Sequence, residues 1–147
     1  ARAELAGRAG AAETRLAALE ARLDGREELL DALLDPGNQL YRLAATADGM
    51  PPVQLFWNRE RQEAILHASA LALPPADRAW QLWLIPEGGA PVPSSVFRPE
   101  ADGHALVEGI RLPDDGRRWA AFALTEEPAG GSPAPTSAPR YVATIPG

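Results

Sequence analysis

The residues of this chain that could do chemistry are the serines Ser94, Ser95 and Ser132, the histidines His67 and His104, the Gly130-Gly131-Ser132 run, and the tryptophans Trp57, Trp80, Trp83 and Trp119. A serine nucleophile needs a general base and a strained turn that presents its hydroxyl. No Gly-x-Ser-x-Gly elbow occurs, and these serines sit in turn-rich sequence, so catalysis is not expected. His67 and His104 lie far apart, and neither has a carboxylate or second histidine at ligand spacing, so the sequence points to no metal or other cofactor. The glycine run suggests a phosphate loop, but such a loop opens a helix and usually carries a lysine. Pro133 and Pro135 forbid a regular helix here, which leaves an architectural role: glycines permitting positive φ, then a stiff Pro-x-Pro strap along a sheet edge. The tryptophans fall on predicted strands and read as sandwich core; an aromatic platform for a ligand would need a groove lined by Trp57 and Trp83.

Composition narrows the field. All 14 basic residues are arginines, scattered except for Arg117-Arg118, and the net charge is −6. Nucleic-acid affinity comes from clustered cations, so nucleic acid is not an expected partner. With no cysteine there is no disulfide framework and no thiolate nucleophile. No run of 18 apolar residues is present, and the chain starts at Ala1, so the expectation is a piece of a longer protein.

Two elements must position these residues. From Ala1 to Leu34 the chain is rich in Ala, Leu, Glu and Arg with no proline until Pro36, which predicts one long helix ended by Asp35-Pro36-Gly37-Asn38. A 3.5-residue ladder runs through Leu5, Ala9, Ala12, Leu16, Leu19, Leu23, Arg26, Leu30 and Leu33, with Arg26 alone out of character. Its two readings are a coiled coil joining two copies through Leu16, Leu19, Leu23, Leu30 and Leu33, and an amphipathic face packed within one chain.

Beyond Asn38 short apolar runs alternate with turns rich in Pro, Gly, Asp and Asn. The spacing predicts eight strands, at 40–46, 53–57, 63–69, 79–85, 91–97, 104–110, 118–125 and 140–145, with Asp102-Gly103-His104 and Asp114-Asp115-Gly116 as hairpin turns. The segments Trp80 to Ile85 and Trp119 to Leu124 are apolar on both faces and read as central strands. Trp80 and Trp83 must project to opposite faces, one toward the core and one toward the surface. The expected fold is therefore mainly β: an antiparallel β-sandwich at 36–147 preceded by a helical stalk at 1–35.

One segment is too particular for a generic linker. Thr125-x-Glu127-Pro128-Ala129-Gly130-Gly131-Ser132-Pro133-x-Pro135-Thr136, preceded by Trp80-Gln81-Leu82-Trp83-Leu84-Ile85, Phe97 and the Asp102-Gly103 turn, resembles the C-terminal extracytoplasmic domain of anti-sigma-K-type factors. The likeness covers roughly Leu40 onward and carries Gln81, Leu82, Trp83, Thr125, Glu127, Pro128, Gly130, Gly131, Ser132, Pro133, Pro135 and Thr136 as structural or partner-docking residues. Ser95 stands where many relatives have a glycine two residues before the phenylalanine. The resemblance implies a single-pass membrane protein with this domain on the extracytoplasmic, periplasmic side. Its absent cytoplasmic region would bind and inhibit an extracytoplasmic-function-type sigma factor, released by a site-1 protease followed by an intramembrane protease. The alternatives are a ligand-binding β module at the cell surface and a purely structural oligomerisation module.

Overall fold

Helix-forming residues continue without proline as far as Asp35, and a single helix, α1, spans Arg2–Leu34. The structure is a computed structural model that describes residues 2–113 and 116–145, with side chains from Gly10 onward. Leu5, Ala9, Asp114 and Asp115 thus fall wholly or in their side chains outside the described residues. The Asp35 amide still donates to the Asp31 carbonyl at 2.9 Å, and Pro36 then prevents another turn. Leu16, Leu19, Leu23, Leu30 and Leu33 are each 54% to 58% exposed, so the leucine ladder forms an apolar stripe open to solvent in the single chain. The chain divides into two compact units, residues 1–35 and 36–147.

The second unit is built from β1 (Asn38–Ala45), β2 (Val53–Asn58), β3 (Glu63–Ala68), β4 (Arg78–Pro86), β5 (Val92–Phe97), β6 (Ala105–Arg111), β7 (Trp119–Pro128) and β8 (Tyr141–Thr144). All eight lie at the predicted places, within a few residues at each end. Neighbours are antiparallel in the order β5-β4-β7-β8-β1-β2-β3-β6, a nearly closed sheet in which β1 splices two layers. Asn38 to Leu43 pair with β2, whereas Ala44 and Ala45 pair with Val142 and Tyr141 of β8. Asp102-Gly103 is a tight turn, with Gly103 at φ +89° and Asp102 Oδ1 accepting from the His104 amide, but it is not a hairpin turn. It carries the chain from β5 to β6, which stand at opposite ends of the strand order. A side chain at Gly103 would lie 2.8 Å from the Ala70 backbone, so this crossing is possible only for glycine.

The core follows from the pleat of β4 and β7. Leu82 faces Leu124 and Leu84 faces Phe122 across the ladder, and all four are at most 1% exposed. Burying each such side chain contributes about 1.5–3 kcal/mol. Around them Tyr41, Trp57 and Phe122 form an aromatic cluster with ring centroids 5.7 to 6.1 Å apart. Trp80, on the same face as Leu82, satisfies its indole by donating to the Ala72 carbonyl at 2.8 Å. The expectation that either Trp80 or Trp83 lies near the surface is not met. Trp83 is on the opposite face yet fully buried, because that face is covered as well.

Candidate functional site

What covers the second face of β4 and β7 is the motif segment itself. After Pro128 the chain leaves β7, turns through a Gly131 amide to Pro128 carbonyl bond of 2.8 Å, and runs without regular structure as a strap to Arg140 before β8 begins. Two side chains beneath the strap hold it.

The first is Gln81, 1% exposed on β4. Its Nε2 donates to the Ser132 carbonyl at 3.0 Å, and its Oε1 accepts from the Ser132 amide at 2.9 Å. One side-chain amide thereby does for Ser132 what a neighbouring strand would do. Gly131 lies directly over it. Its φ of +80° suits glycine, and a Cβ there would sit 2.8 Å from Val96 Cγ2 on β5 and 3.4 Å from Gln81 Oε1. Gly130 differs from the sequence expectation: it is not in the left-handed region, and a Cβ on it would meet nothing within 4 Å. Only one of the paired glycines is required by the backbone.

The second is Glu127, fully buried on β7. Its carboxylate accepts from the Thr125 hydroxyl at 2.6 Å, from the Thr136 amide at 3.0 Å, from the Thr136 hydroxyl, and from the Ser137 hydroxyl at 3.4 Å. Thr125 in turn accepts from the Trp83 indole N–H at 2.8 Å, so a donor chain runs Trp83 to Thr125 to Glu127. Burial alone raises the carboxyl pKa. Hydrogen bonds from Thr125, Thr136 and Ser132 outweigh it and bring the value to about 2. The charge is therefore held by neutral hydroxyl and amide donors, as a carboxylate accepting several hydrogen bonds can be. The next residue adds to the attachment: the Glu126 carbonyl accepts from the Ser137 hydroxyl and from Arg78 Nη2, and Arg78 Nε lies 3.3 Å from the Glu126 carboxylate.

Gln81, Trp83, Thr125, Glu127, Gly131, Ser132 and Thr136 are thus brought into one polar knot, while Leu82 points away into the core. Pro128 ends β7, and Pro133 and Pro135 are the exposed crest of the strap. No sequence period could have linked Glu127 to Thr136 or Gln81 to Ser132, since both links cross a loop. The signal was the sequence of the segment as a whole.

The structure also joins residues that the sequence left apart. His67 on β3 and His104 before β6 have ring centroids 5.5 Å apart, and His104 Nδ1 lies 3.8 Å from Glu100 Oε2. The antiparallel register, with His67 opposite Leu106, creates this pair. His67 is lowered from 6.5 by burial and by the neighbouring charge of His104. Among the described residues no three His, Cys, Asp or Glu side chains gather in a metal-binding group. The groove imagined between Trp57 and Trp83 does not form, because Trp83 belongs to the knot. Trp57 shares a cavity with Trp119 instead.

The fold and site define a β-sandwich domain whose motif residues form a buried clasp beneath a loop. The chain belongs to the family described as anti-sigma-K factor rskA, C-terminal, whose model matches residues 2–140, nearly the whole chain. It is an anti-sigma factor domain, of a regulatory family whose partner is a sigma factor. Neither a curated protein nor a solved structure matches it. Among the described residues no helix is long and apolar enough to cross a membrane.

Proposed function

We propose that this chain is the extracytoplasmic regulatory domain of a single-pass membrane anti-sigma factor, and that its folded state keeps an extracytoplasmic-function-type sigma factor inhibited by denying proteases access to backbone near the membrane. The observation that carries this reading is the clasp. Residues 129–140 form an exposed segment without regular structure, the kind of backbone a protease would take. Gln81 and Glu127 nevertheless fix it from beneath at Ser132, Thr136 and Ser137. Proteolysis needs locally open chain, so what pins this segment sets the threshold for cutting. The parent's membrane anchor and sigma-binding region lie outside this chain in this reading. The leucine stripe of α1 pairs two parents side by side above the bilayer, giving a helical stalk that resists cleavage. Release follows when the domain opens, through a site-1 cut and then an intramembrane cut.

The test is a sigma-dependent reporter in cells carrying the full-length parent. Glu127→Ala should raise reporter output and produce a shortened membrane-bound fragment, whereas Gly130→Ala should leave both unchanged. A parent that stays intact and repressing with Glu127→Ala, while the isolated variant domain is measurably destabilised, would rule the reading out.

A further inference from the structure

Charged side chains flank the leucine stripe of α1 in two columns of single sign. With Leu16, Leu23 and Leu30 at the a positions of a seven-residue repeat and Leu19 and Leu33 at d, Arg15 and Arg22 fall at g and Glu13, Glu20 and Glu27 at e. One flank is therefore cationic and the other anionic. All of these side chains are exposed in the single chain, where Arg22 also makes a contact of its own. The spacing does not suit pairing inside the helix, where opposite charges three or four residues apart meet: between Gly10 and Leu34 no arginine has a carboxylate at either distance. What the two columns do match is a second copy of themselves.

Granted the pairing of α1 proposed for the parent, we infer that its partner is a second α1 lying parallel and in register, with Arg15 of each copy set against Glu20 of the other. In a parallel pair the g residue of one helix meets the following e residue of its partner, five residues further on, so Arg15 meets Glu20 and Arg22 meets Glu27. Both contacts are attractive. An antiparallel pair sets g against g and e against e, with arginine facing arginine along one side and glutamate facing glutamate along the other. Position and sign alone decide this, whatever else Arg22 touches.

The last heptad points the same way through apolar residues. Leu29 occupies g and Leu34 occupies e, so the parallel pair brings Leu29 of one copy to Leu34 of the other and covers a side chain that is 77% exposed in the single chain. Reversing one helix separates these ends. Arg26 then fixes the register, since at d it enters the seam beside Glu27 of the second copy, and only the in-register pair confines both guanidiniums to one layer. A shift of one heptad would set the two Arg26 side chains against Leu19 and Leu33 and interrupt the seam twice. A long cationic side chain at that layer reaches water from a two-stranded coil, which favours two copies over a thicker bundle.

Charge reversal in the 147-residue chain, followed by sedimentation, tests the arrangement. Arg15→Glu should weaken dimerisation at least about fivefold, Glu20→Arg should do the same, and the two together should restore it to within about twofold of wild type, because the pair re-forms with its signs exchanged. In an antiparallel dimer Arg15→Glu would leave pairing unchanged or tighten it. Since the chain has no cysteine, Leu33→Cys adds a direct reading of direction: oxidation should join the two copies by one disulfide, which an antiparallel pair, with these positions at opposite ends, cannot form. Melting of the β unit should be the same in every variant, which separates a lost dimer from a lost fold. A wild type that dimerises but shows no rescue in the double reversal, or no disulfide, defeats the parallel register and leaves the pairing of α1 standing. A wild type that is monomeric at about 100 µM defeats both. Neither result bears on the clasp.

Discussion

Glu127 and Thr136 stand nine residues apart and are joined twice, with the Thr136 amide and hydroxyl both donating to the one carboxylate. With the Ser137 hydroxyl on the Glu126 carbonyl and the Glu127 carboxylate, this link returns the strap to the strand it left. Removing the acceptor strands several donors at once. Glu127→Ala should cost about 3–5 kcal/mol, the range for leaving a buried charge network without its partner, and Glu127→Gln about 1.5–3 kcal/mol, since the amide keeps one acceptor oxygen. Urea denaturation of the two variants measures both, and a midpoint unmoved by Glu127→Ala would show that the knot is ornamental to stability.

The same carboxylate sets an acid limb. Its folded pKa of about 2 lies below its ordinary 4.5, so its contribution is complete above the unfolded value and is lost as pH falls from there toward 2. The shift corresponds to on the order of 3 kcal/mol. His67 adds a shallower limb of the same sign: it is lowered from 6.5, so its contribution is present above that value and declines as pH drops below it. Stability measured from pH 8 to 2.5 should fall in two stages. In Glu127→Gln the lower stage should flatten while the upper one remains, and in His67→Gln the reverse should hold.

The paired glycines should respond oppositely to the same change. Gly131→Ala places a methyl in the left-handed region and against Val96, at a cost of about 1–3 kcal/mol. Gly130→Ala meets open space at ordinary φ and should fall within about 0.5 kcal/mol of wild type, with a slight gain from a stiffer unfolded chain. Thermal melts of both variants suffice, and equal losses would mean that the turn at Pro128 is misplaced.

The leucine stripe makes a separate claim. If two copies pair along α1, replacing Leu19 and Leu23 with aspartate buries charge at the seam and should yield monomers whose β unit melts as before. Sedimentation of wild type and double variant at about 100 µM reads this directly, since pairing depends on protomer concentration. A wild type already monomeric at that concentration defeats the dimer.

Strand positions were legible where turns carry residues with one conformational habit, as Gly49, Gly88, Gly103 and Gly116 do at positive φ, whereas the turn between β2 and β3 places Gln62 there instead. The doubly apolar β4 and β7 betrayed their central place for the same reason, since both of their faces are buried. Partnership was less legible. Nothing in Tyr141 to Thr144 says that β8 slots between β7 and β1, because a four-residue strand has too little pattern to choose an edge. Trp83 was misplaced because local alternation cannot foresee a loop folding back across a sheet. His67 and His104 met through strand register, and the Trp57 and Trp119 cavity arose where five elements end together, both long-range outcomes that spacing along the chain does not encode.

The position of β8 has a temporal meaning during synthesis. Its neighbours β1 and β7 are separated by most of the domain's length, and both present unpaired edges until Tyr141–Thr144 arrives. A ribosome releases chain N-terminus first, at roughly 5–20 residues each second. For seconds after β1 emerges, the nascent domain can therefore hold only two disconnected half-sheets. They become one body when the strap, threaded through Gln81 and Glu127, delivers the final strand into the gap.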